Sequence, residues 1–283
     1  MCNQTYKNFE WIVIDDGSSD NTREIVEAWK NENRIDITYK YQKNNGKHIA
    51  TNEAIAVAKG EYIVNLDSDD IMRENALERM LEVWNTIPEE SKQEYMSVKA
   101  RCYDPETGIP VGKDIPKGRM VCTCLEAEYK YKIQFQMWSM VRADVLREFP
   151  NPNIRGGKNG GGLRFYPEGI WQGLASRKYK TIFINDLLLG YMQNTSTSLM
   201  GWGAKYDRYR ENIYLWTHVL NNNLDYFFYD PKSFIKASIG VSMDCMFLRK
   251  SIKEMLQMGI GKKQKILIAL CMPLGWMFYI RRK

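Results

Sequence analysis

Histidine is scarce in this sequence, and its cysteines follow no recognisable pattern. The two histidines among the 283 residues, His48 and His218, belong to no Ser/His/Asp or Cys/His arrangement. The sequence therefore gives no indication of nucleophilic catalysis by such a group, and we expect His48 at the surface or in a stacking contact. The six cysteines show neither a CxxC pair nor a compact disulfide spacing, which favours a reducing compartment and buried thiols over a zinc or redox site.

Apolar runs of membrane-spanning length are missing as well. The opening "MCNQTYKNFEW" lacks the apolar core of a secretory signal, so we expect no signal peptide there. The last apolar segment, Ile266 to Ile280, contains fifteen uncharged residues. As a helix it would span roughly 22 Å, less than the ~30 Å hydrocarbon core of a bilayer. Pro273 and Gly275 are also expected to interrupt it, so a transmembrane helix is not predicted.

The charges around this segment leave two interpretations of residues 262–283. Basic residues flank it on both sides, at Lys262, Lys263, Lys265 and residues 281–283. The segment is either a helix buried on the domain or an interfacial anchor whose cations meet anionic headgroups. We favour the anchor, and with it a cytoplasmic protein at the inner face of the cell membrane.

The remaining composition is that of a folded globular protein. Hydrophobic residues make up 44% and charged residues 26% of the chain, and the net charge is +6. This length suffices for one large domain, alone or with an appendage. The aromatic residues are scattered and form no nucleic-acid motif, so no nucleic-acid partner is expected.

Strand and helix signals alternate in the first half of the chain. The runs "FEWIVID", "RIDITYKYQ" and "EYIVNL" predict strands, and helices are predicted from Asn21 and over "KHIATNEAIAVAKG". This alternation is typical of an α/β fold with a mostly parallel, Rossmann-like central sheet flanked by helices. We read "RMVCTCLEAEYKY" as a strand with Cys122 and Cys124 on one face. From about Ala204 onward the pattern is helical, which predicts a domain over residues 1–200 and a helical extension over residues 201–283.

Two groups of acidic residues follow predicted strands. Asp15 and Asp16 come after "WIVI", and Asp67, Asp69 and Asp70 come after "YIVNL". In open α/β sheets, ligands bind beyond the carboxyl ends of the strands. Crowded carboxylates raise one another's pKa unless a cation neutralises them, and a D-x-D spacing offers the hard oxygens that Mg²⁺ and Mn²⁺ prefer. A single such aspartate would be read as a turn or cap residue, but two clusters indicate a functional site.

The segment from Gln4 to about Asp70 resembles the family 2 inverting glycosyltransferases of the GT-A fold. The motifs that carry the resemblance are "NQTYKNFEWIVIDDGSSDNT" and "NNGKHIATNEAIAVAKGEYIVNLDSDD". It implies that Asp15 or Asp16 holds the base and ribose of a nucleotide-diphospho-sugar. It further implies that the turn with Asn45, Gly46 and Lys47 lies beside the base. Asp67 and Asp69 would bind Mn²⁺ or Mg²⁺ on the donor diphosphate, with Asp67 contacting both, and Asp70 would support them or cap a helix.

The same resemblance suggests a general base. An inverting enzyme must take a proton from the attacking acceptor hydroxyl, and the family uses an acidic residue at the start of a later helix. Glu168, in "RFYPEGIWQGL", occupies that place, although Gly169 follows it where an aspartate is frequent. Helix capping by Glu168 is a competing role, and Asp186 is a weaker alternative base.

One further feature departs from the family pattern. Family members have a strand and turn before the segment that opens this chain, so we expect the first, central strand to be lacking. The glycine-rich residues 156–162 do not form a phosphate-binding loop motif, and we expect them to be a loop near donor or acceptor.

The function expected is sugar transfer to a glycan or lipid-linked acceptor in bacterial cell-envelope polysaccharide synthesis. A degenerate nucleotide-sugar-binding module and a nucleotidyltransferase remain alternatives.

Overall fold

The structure is a computed structural model, and it describes residues 1–133, 135–154, 163, 166–192 and 205–283. The glycine-rich segment 156–162 lies outside these residues. Of residues 205–207 only the backbone is described.

The amino-terminal part alternates strands and helices as predicted. Its elements are β1 (Glu10–Asp15), α1 (Thr22–Asn31), β2 (Asp36–Tyr41), α2 (Lys47–Val57) and β3 (Tyr62–Val64). Strands β1 and β2 run parallel as a two-stranded sheet, with Glu10 opposite Asp36 and Asp15 opposite Tyr41. The Oε1 atom of Glu10 accepts hydrogen bonds from the amides of Lys59 at 2.6 Å and Gly60 at 3.1 Å. This contact ties the entrance of β3 to the entrance of β1.

A larger sheet forms the centre of the molecule. Its further strands are β4 (Ile71–Met72), β5 (Tyr95–Tyr103), β6 (Arg119–Cys122), β7 (Met137–Arg142) and β8 (Lys180–Gly190). The strand order is β3-β7-β5-β8-β4, with β6 also paired to β8. In the described chain, neither β1 nor β3 pairs with a strand on its second edge.

The strand directions correct one part of the predicted fold. The α/β class with flanking helices is right, but the sheet is mixed rather than mostly parallel. Strands β5 and β8 are parallel, whereas the pairs β3–β7, β5–β7, β4–β8 and β6–β8 are antiparallel. Strand direction is set by the path of the connections, and the middle of the chain reverses direction without the regular helical crossovers that a parallel pair needs.

Short helices connect the strands and cover the sheet. They are α3 (Ala76–Trp84), α4 (Cys124–Tyr129), α5 (Ala143–Glu148) and α6 (Gly169–Ala175), with 3₁₀ turns at Glu89–Glu94, Pro116–Gly118 and Leu224–Tyr226. The apolar face of α3 is buried against the sheet, where Met80 and Trp84 pack with Val98, Trp138 and Ile182. This cluster forms the main core of the central sheet.

The strand predicted over "RMVCTCLEAEYKY" is wrong after Cys122. Thr123 ends β6 and starts α4, because its side chain accepts the amide of Glu126 at 3.1 Å while the Glu126 carboxylate accepts the amide of Thr123 at 3.1 Å. This capping box separates Cys122 from Cys124, so the two thiols do not share a strand face. All six cysteines are free thiols, and Cys102, Cys122, Cys245 and Cys271 are buried as predicted, whereas Cys2 and Cys124 are partly exposed.

The carboxyl-terminal part is helical. It consists of α7 (Lys205–Asn222), α8 (Pro231–Phe247), α9 (Ile252–Gln257) and α10 (Lys262–Arg282), which pack around Leu220, Phe234, Val241 and Ile268. Contrary to expectation, α10 continues through Pro273 and Gly275. Gly275 faces α8 so closely that a Cβ there would lie 2.5 Å from the Cβ of Ser242. Packing on α8 thus supports the helix past the residue that lacks an amide hydrogen.

Among the helices described, none combines the length and apolarity needed to cross a membrane.

Candidate active site

The loop after β1 is held by the buried carboxylate of Asp15. Its Oδ1 accepts the amide of Ser18 at 2.7 Å and its Oδ2 accepts the hydroxyl of Tyr39 at 2.7 Å. Burial raises the pKa of this carboxyl, but the hydrogen bonds from Tyr39 and Ser18 outweigh it, so that the pKa lies below its ordinary value. In the structure the Asp15 carboxylate therefore shapes the loop, and a nucleotide contact by Asp15 or Asp16 stays a prediction.

Asp16 joins this loop to the turn before α2. Its carboxylate accepts the backbone amides of Asn45 and Gly46, each at 2.9 Å, and the side-chain amide of Gln42 at 2.6 Å. Gly46 is the residue before α2 and has φ 97°, a conformation that side chains disfavour. The structure thus brings together the two segments that the sequence analysis placed around a nucleotide.

The second acidic group lies at the exit of β3. Trp138 in β7 donates its indole hydrogen to the carbonyl of Asn65 at 2.7 Å, which positions the chain just before Asp67. One ligand atom each from Asp67, Asp69 and Asp70 lies within 4.8 Å of the others. Hard carboxylate oxygens at this spacing suit a divalent cation such as Mn²⁺ or Mg²⁺, so the described residues fit the predicted metal.

Asp70 is the most enclosed of the three carboxylates. Burial raises its pKa to about 6, and the charges of Asp67 and Asp69 add to the effect. Its Oδ1 accepts the amide of Met192 at 3.3 Å. Asp70 does not cap a helix, because α3 begins after Asn75. It instead links the acidic turn to the chain that leaves β8.

Lys47 connects this acidic group to Glu168. Its Nζ lies 2.8 Å from Oδ2 of Asp67 and 3.5 Å from Oε1 of Glu168. Burial lowers the pKa of the ammonium, but Glu168 and Asp67 together raise it above its ordinary value, so Lys47 is charged at neutral pH. Three residues from distant parts of the sequence therefore meet at one point, and the side chains of Asp67 and Glu168 remain 42% and 47% exposed.

The two candidate bases differ in their surroundings. Glu168 precedes the first residue of α6, but its side chain makes no capping hydrogen bond, so the competing capping role is not realised. Asp186 lies within β8 and accepts Nε of Arg79 at 2.6 Å. The Asp186 carboxylate is therefore paired with Arg79 of α3, whereas the Glu168 carboxylate is the one paired with Lys47.

The surface position expected for His48 is wrong, whereas a ring contact is present, with 6.2 Å between the ring centroids of His48 and Tyr166. His48 is 3% exposed rather than superficial, and its Nε2 lies 2.8 Å from the carbonyl of Ile154. One turn further along α2, Asn52 donates to the carbonyl of Asn151 at 2.8 Å and accepts its amide at 3.1 Å. These contacts hold residues 151–154 against the helix that carries Lys47. The four-residue spacing of His48 and Asn52 on one helix face was the signal available in the sequence.

Comparison with known proteins identifies the segment that builds most of this site. Residues 1–91 match the glycosyl transferase family 2. This amino-terminal third is similar to family 2 glycosyltransferase sequences. It is 47% identical over 78 residues to glycosyltransferase GlyG of Streptococcus pneumoniae serotype 4, covering 27% of this chain and 26% of GlyG. It is also similar to the putative teichuronic acid biosynthesis glycosyltransferase TuaG of Bacillus subtilis, with 38% identity over 83 residues, 29% of this chain and 32% of TuaG.

The chain therefore spans about a quarter to a third of the length of these two relatives. Over the whole fold, the chain resembles S. aureus TarS, solved with UDP-GlcNAc, at a TM-score of 0.58 and 15% identity, covering 95% of this chain and 73% of the other. This likeness confirms the predicted GT-A-type α/β fold with a helical carboxyl-terminal region.

Proposed function

We propose that this protein is a metal-dependent, inverting glycosyltransferase that moves a sugar from a nucleotide-diphosphate donor to a glycan or lipid-linked acceptor. The observation that carries the proposal is the convergence of Asp67, Lys47 and Glu168. Asp67 suits a metal, Lys47 suits a diphosphate and Glu168 suits proton abstraction. The family 2 match of residues 1–91 supports the same chemistry.

Asp67 and Asp69 would hold Mn²⁺ or Mg²⁺, with Asp70 supporting them through the turn. When bound, such a cation neutralises charge that develops on a leaving diphosphate. The Asp67 carboxylate lies 2.8 Å from the Lys47 ammonium. A diphosphate bound to a metal on Asp67 would therefore also lie beside that ammonium. The loops around Asp15, Asp16, Asn45 and Gly46 are already linked to each other, which supports a preorganised pocket for the base and ribose.

Glu168 would act as the general base for direct displacement. Its carboxylate is 47% exposed and carries no capping hydrogen bond, so an acceptor hydroxyl can reach it. It would take the hydroxyl proton as the oxygen attacks the anomeric carbon, and the bond to the diphosphate breaks on the opposite face. A single displacement inverts the anomeric centre and needs no nucleophile from the protein.

A test of this mechanism starts from the purified full-length protein and a panel of nucleotide sugars that includes UDP-GlcNAc. We expect Mn²⁺-dependent release of nucleotide diphosphate, and a product of inverted anomeric configuration by NMR. Asp69→Asn and Glu168→Gln should each reduce turnover by about a hundredfold or more. Asp36→Asn is the matched control, because Asp36 is exposed and begins β2 at the end away from the site.

The outcomes separate the candidate functions. Turnover that is indifferent to Asp69→Asn would contradict the metal role. Binding of a nucleotide sugar without turnover of any donor would favour the binding module instead. Formation of a nucleotide sugar from a sugar phosphate and a nucleoside triphosphate would favour a nucleotidyltransferase.

We further propose a role in cell-envelope polysaccharide synthesis at the inner face of the membrane. The similarity to TuaG, a putative teichuronic acid biosynthesis glycosyltransferase, supports this role. The basic residues at both ends of α10 support the location. The outward face of α10 is apolar, with Ile266 59%, Leu270 72% and Trp276 58% exposed. Together they suit an interfacial helix that lies on anionic lipid.

Replacing Leu270 and Trp276 with glutamine tests the membrane contact without disturbing the buried face of α10. The double variant should lose binding to vesicles that contain phosphatidylglycerol and keep its thermal unfolding temperature. Unchanged vesicle binding would contradict the contact. A wild-type dimer that the double variant converts to a monomer, with no vesicle binding by either, would show that a second copy covers this face.

A further inference from the structure

The Lys47 ammonium lies in an electrostatically unusual place. Lys47 is the first residue of an eleven-residue helix, and the first turn of α2 contains no acidic residue. The amino-terminal end of a helix carries partial positive charge, so a lysine there is disfavoured unless anions outside the helix compensate it. Asp67 and Glu168 are those anions, at 2.8 Å and 3.5 Å. The cation is thus kept at the site by the two carboxylates rather than by its helix.

Each of these carboxylates has a different partner in the proposed reaction. Asp67 is the proposed metal ligand, and its Oδ2 is the atom that Lys47 contacts. A divalent cation on Asp67 would lie within a few ångströms of the ammonium, and the two positive centres would repel each other strongly in this part-buried place. The Lys47 side chain is only 27% exposed, so solvent screens this repulsion incompletely.

We propose that Lys47 competes with the divalent metal for Asp67 until a diphosphate provides the ammonium with another anion. The inference rests on the proposed function. A donor diphosphate carries enough negative charge to bind both the metal and Lys47, so the ammonium can leave Asp67 without being left unpaired. Its departure also frees Glu168 from its ion pair, and the base becomes available only when the donor is bound. Lys47 thereby makes metal binding depend on the donor and places donor binding before acceptor activation.

This arrangement predicts effects of opposite sign on two ligands. Replacing Lys47 with glutamine removes the competing charge, so Mn²⁺ alone should bind about tenfold more tightly. The same variant lacks the ammonium that would contact the diphosphate, so UDP or GDP in the presence of saturating Mn²⁺ should bind about tenfold more weakly. A merely structural defect would weaken both.

The experiment is calorimetric titration of the full-length chain, first with Mn²⁺ alone and then with UDP and GDP at saturating Mn²⁺. Lys47→Arg retains the positive charge and should keep the weak metal binding of the wild type, whether or not Lys47→Gln alters stability. Lys40→Gln is the control for net charge, because Lys40 pairs with Glu53 at 2.6 Å instead of with the site carboxylates.

The possible results distinguish this inference from the function on which it rests. Tighter Mn²⁺ binding and weaker nucleotide binding by Lys47→Gln, with Lys47→Arg and Lys40→Gln unchanged for Mn²⁺, would support it. Unchanged or weaker Mn²⁺ binding by Lys47→Gln, while the wild type binds Mn²⁺ and nucleotide together, would overturn the competition and leave the proposed function intact. Failure of the wild type to bind either nucleotide with Mn²⁺ would overturn the proposed function itself.

Discussion

Asp244 provides a quantitative test of the helical carboxyl-terminal region. This aspartate lies within α8 at 0% exposure, and its Oδ2 accepts the indole hydrogen of Trp216 at 3.0 Å. Burial raises its pKa to about 7, and hydrogen bonding to Trp216 and Asn212 and the charge of Arg282 offset only part of that rise. The neutral acid is therefore the form that the helices accommodate.

The consequence for stability depends on pH with a defined sign. Between about pH 4 and pH 7 the folded state keeps a proton on Asp244 that the unfolded chain has released, so the free energy of unfolding falls as pH rises. Raising the pKa from 3.8 to about 7 lowers the free energy of unfolding above pH 7 by at most about 4 kcal/mol, because one pKa unit equals about 1.36 kcal/mol. Below pH 4 both states are protonated and the contribution disappears.

Asp244→Asn keeps the shape of the side chain and removes its titration. We expect the variant to be more stable than the wild type by about 1–4 kcal/mol at pH 8 and nearly equal to it at pH 4. Urea unfolding followed by circular dichroism at five pH values between 4 and 8 measures the difference. Because the comparison is between two proteins at each pH, the titration of other groups cancels.

A second aspartate supplies a control of opposite sign. Asp225 binds the guanidinium of Arg177 at 2.7 Å, and this hydrogen-bonded pairing lowers the pKa of its carboxyl. Asp225→Asn should therefore destabilise the protein at pH 8, and its effect should shrink as acid protonates the wild-type carboxyl. A difference for Asp244→Asn that does not vary with pH would refute the reasoning, because it would mean that the buried carboxylate is ionised throughout and fully compensated by its neighbours.

Three further substitutions test individual contacts. Gly275→Val should destabilise the protein by about 2 kcal/mol or more, because its side chain would collide with Ser242 across the α8–α10 contact; an unchanged unfolding midpoint would show that α10 is not packed there. Thr123→Ala removes the hydroxyl that accepts the Glu126 amide and should cost about 1 kcal/mol, measured by urea unfolding, whereas Thr123→Ser should cost little. Gly46→Ala introduces a Cβ at φ 97°, so it should lower the free energy of unfolding by about 1 kcal/mol or more and weaken nucleotide binding. An equally stable variant would contradict the steric cost expected for a side chain at this backbone conformation.

Local signals in the sequence were sufficient for the elements that surround the site. The strands that lead to Asp15 and Asp67 were predictable, because side-chain periodicity depends only on neighbouring residues. The acidic clusters were recognisable for the same reason, since a D-x-D spacing is read directly along the chain. These local features, with the family resemblance, determined the fold class and the acidic half of the candidate site.

Other properties were decided by tertiary structure alone. The contact of Lys47 with Glu168, the burial of His48 against Ile154 and the burial of Asp244 against Trp216 each join different segments of the chain. The mixed direction of the central strands likewise follows from how the connections travel in space. A sequence specifies which side chains can carry charge, but the charge that each one meets, and hence its pKa and its partner, depends on the neighbours that folding brings within a few ångströms.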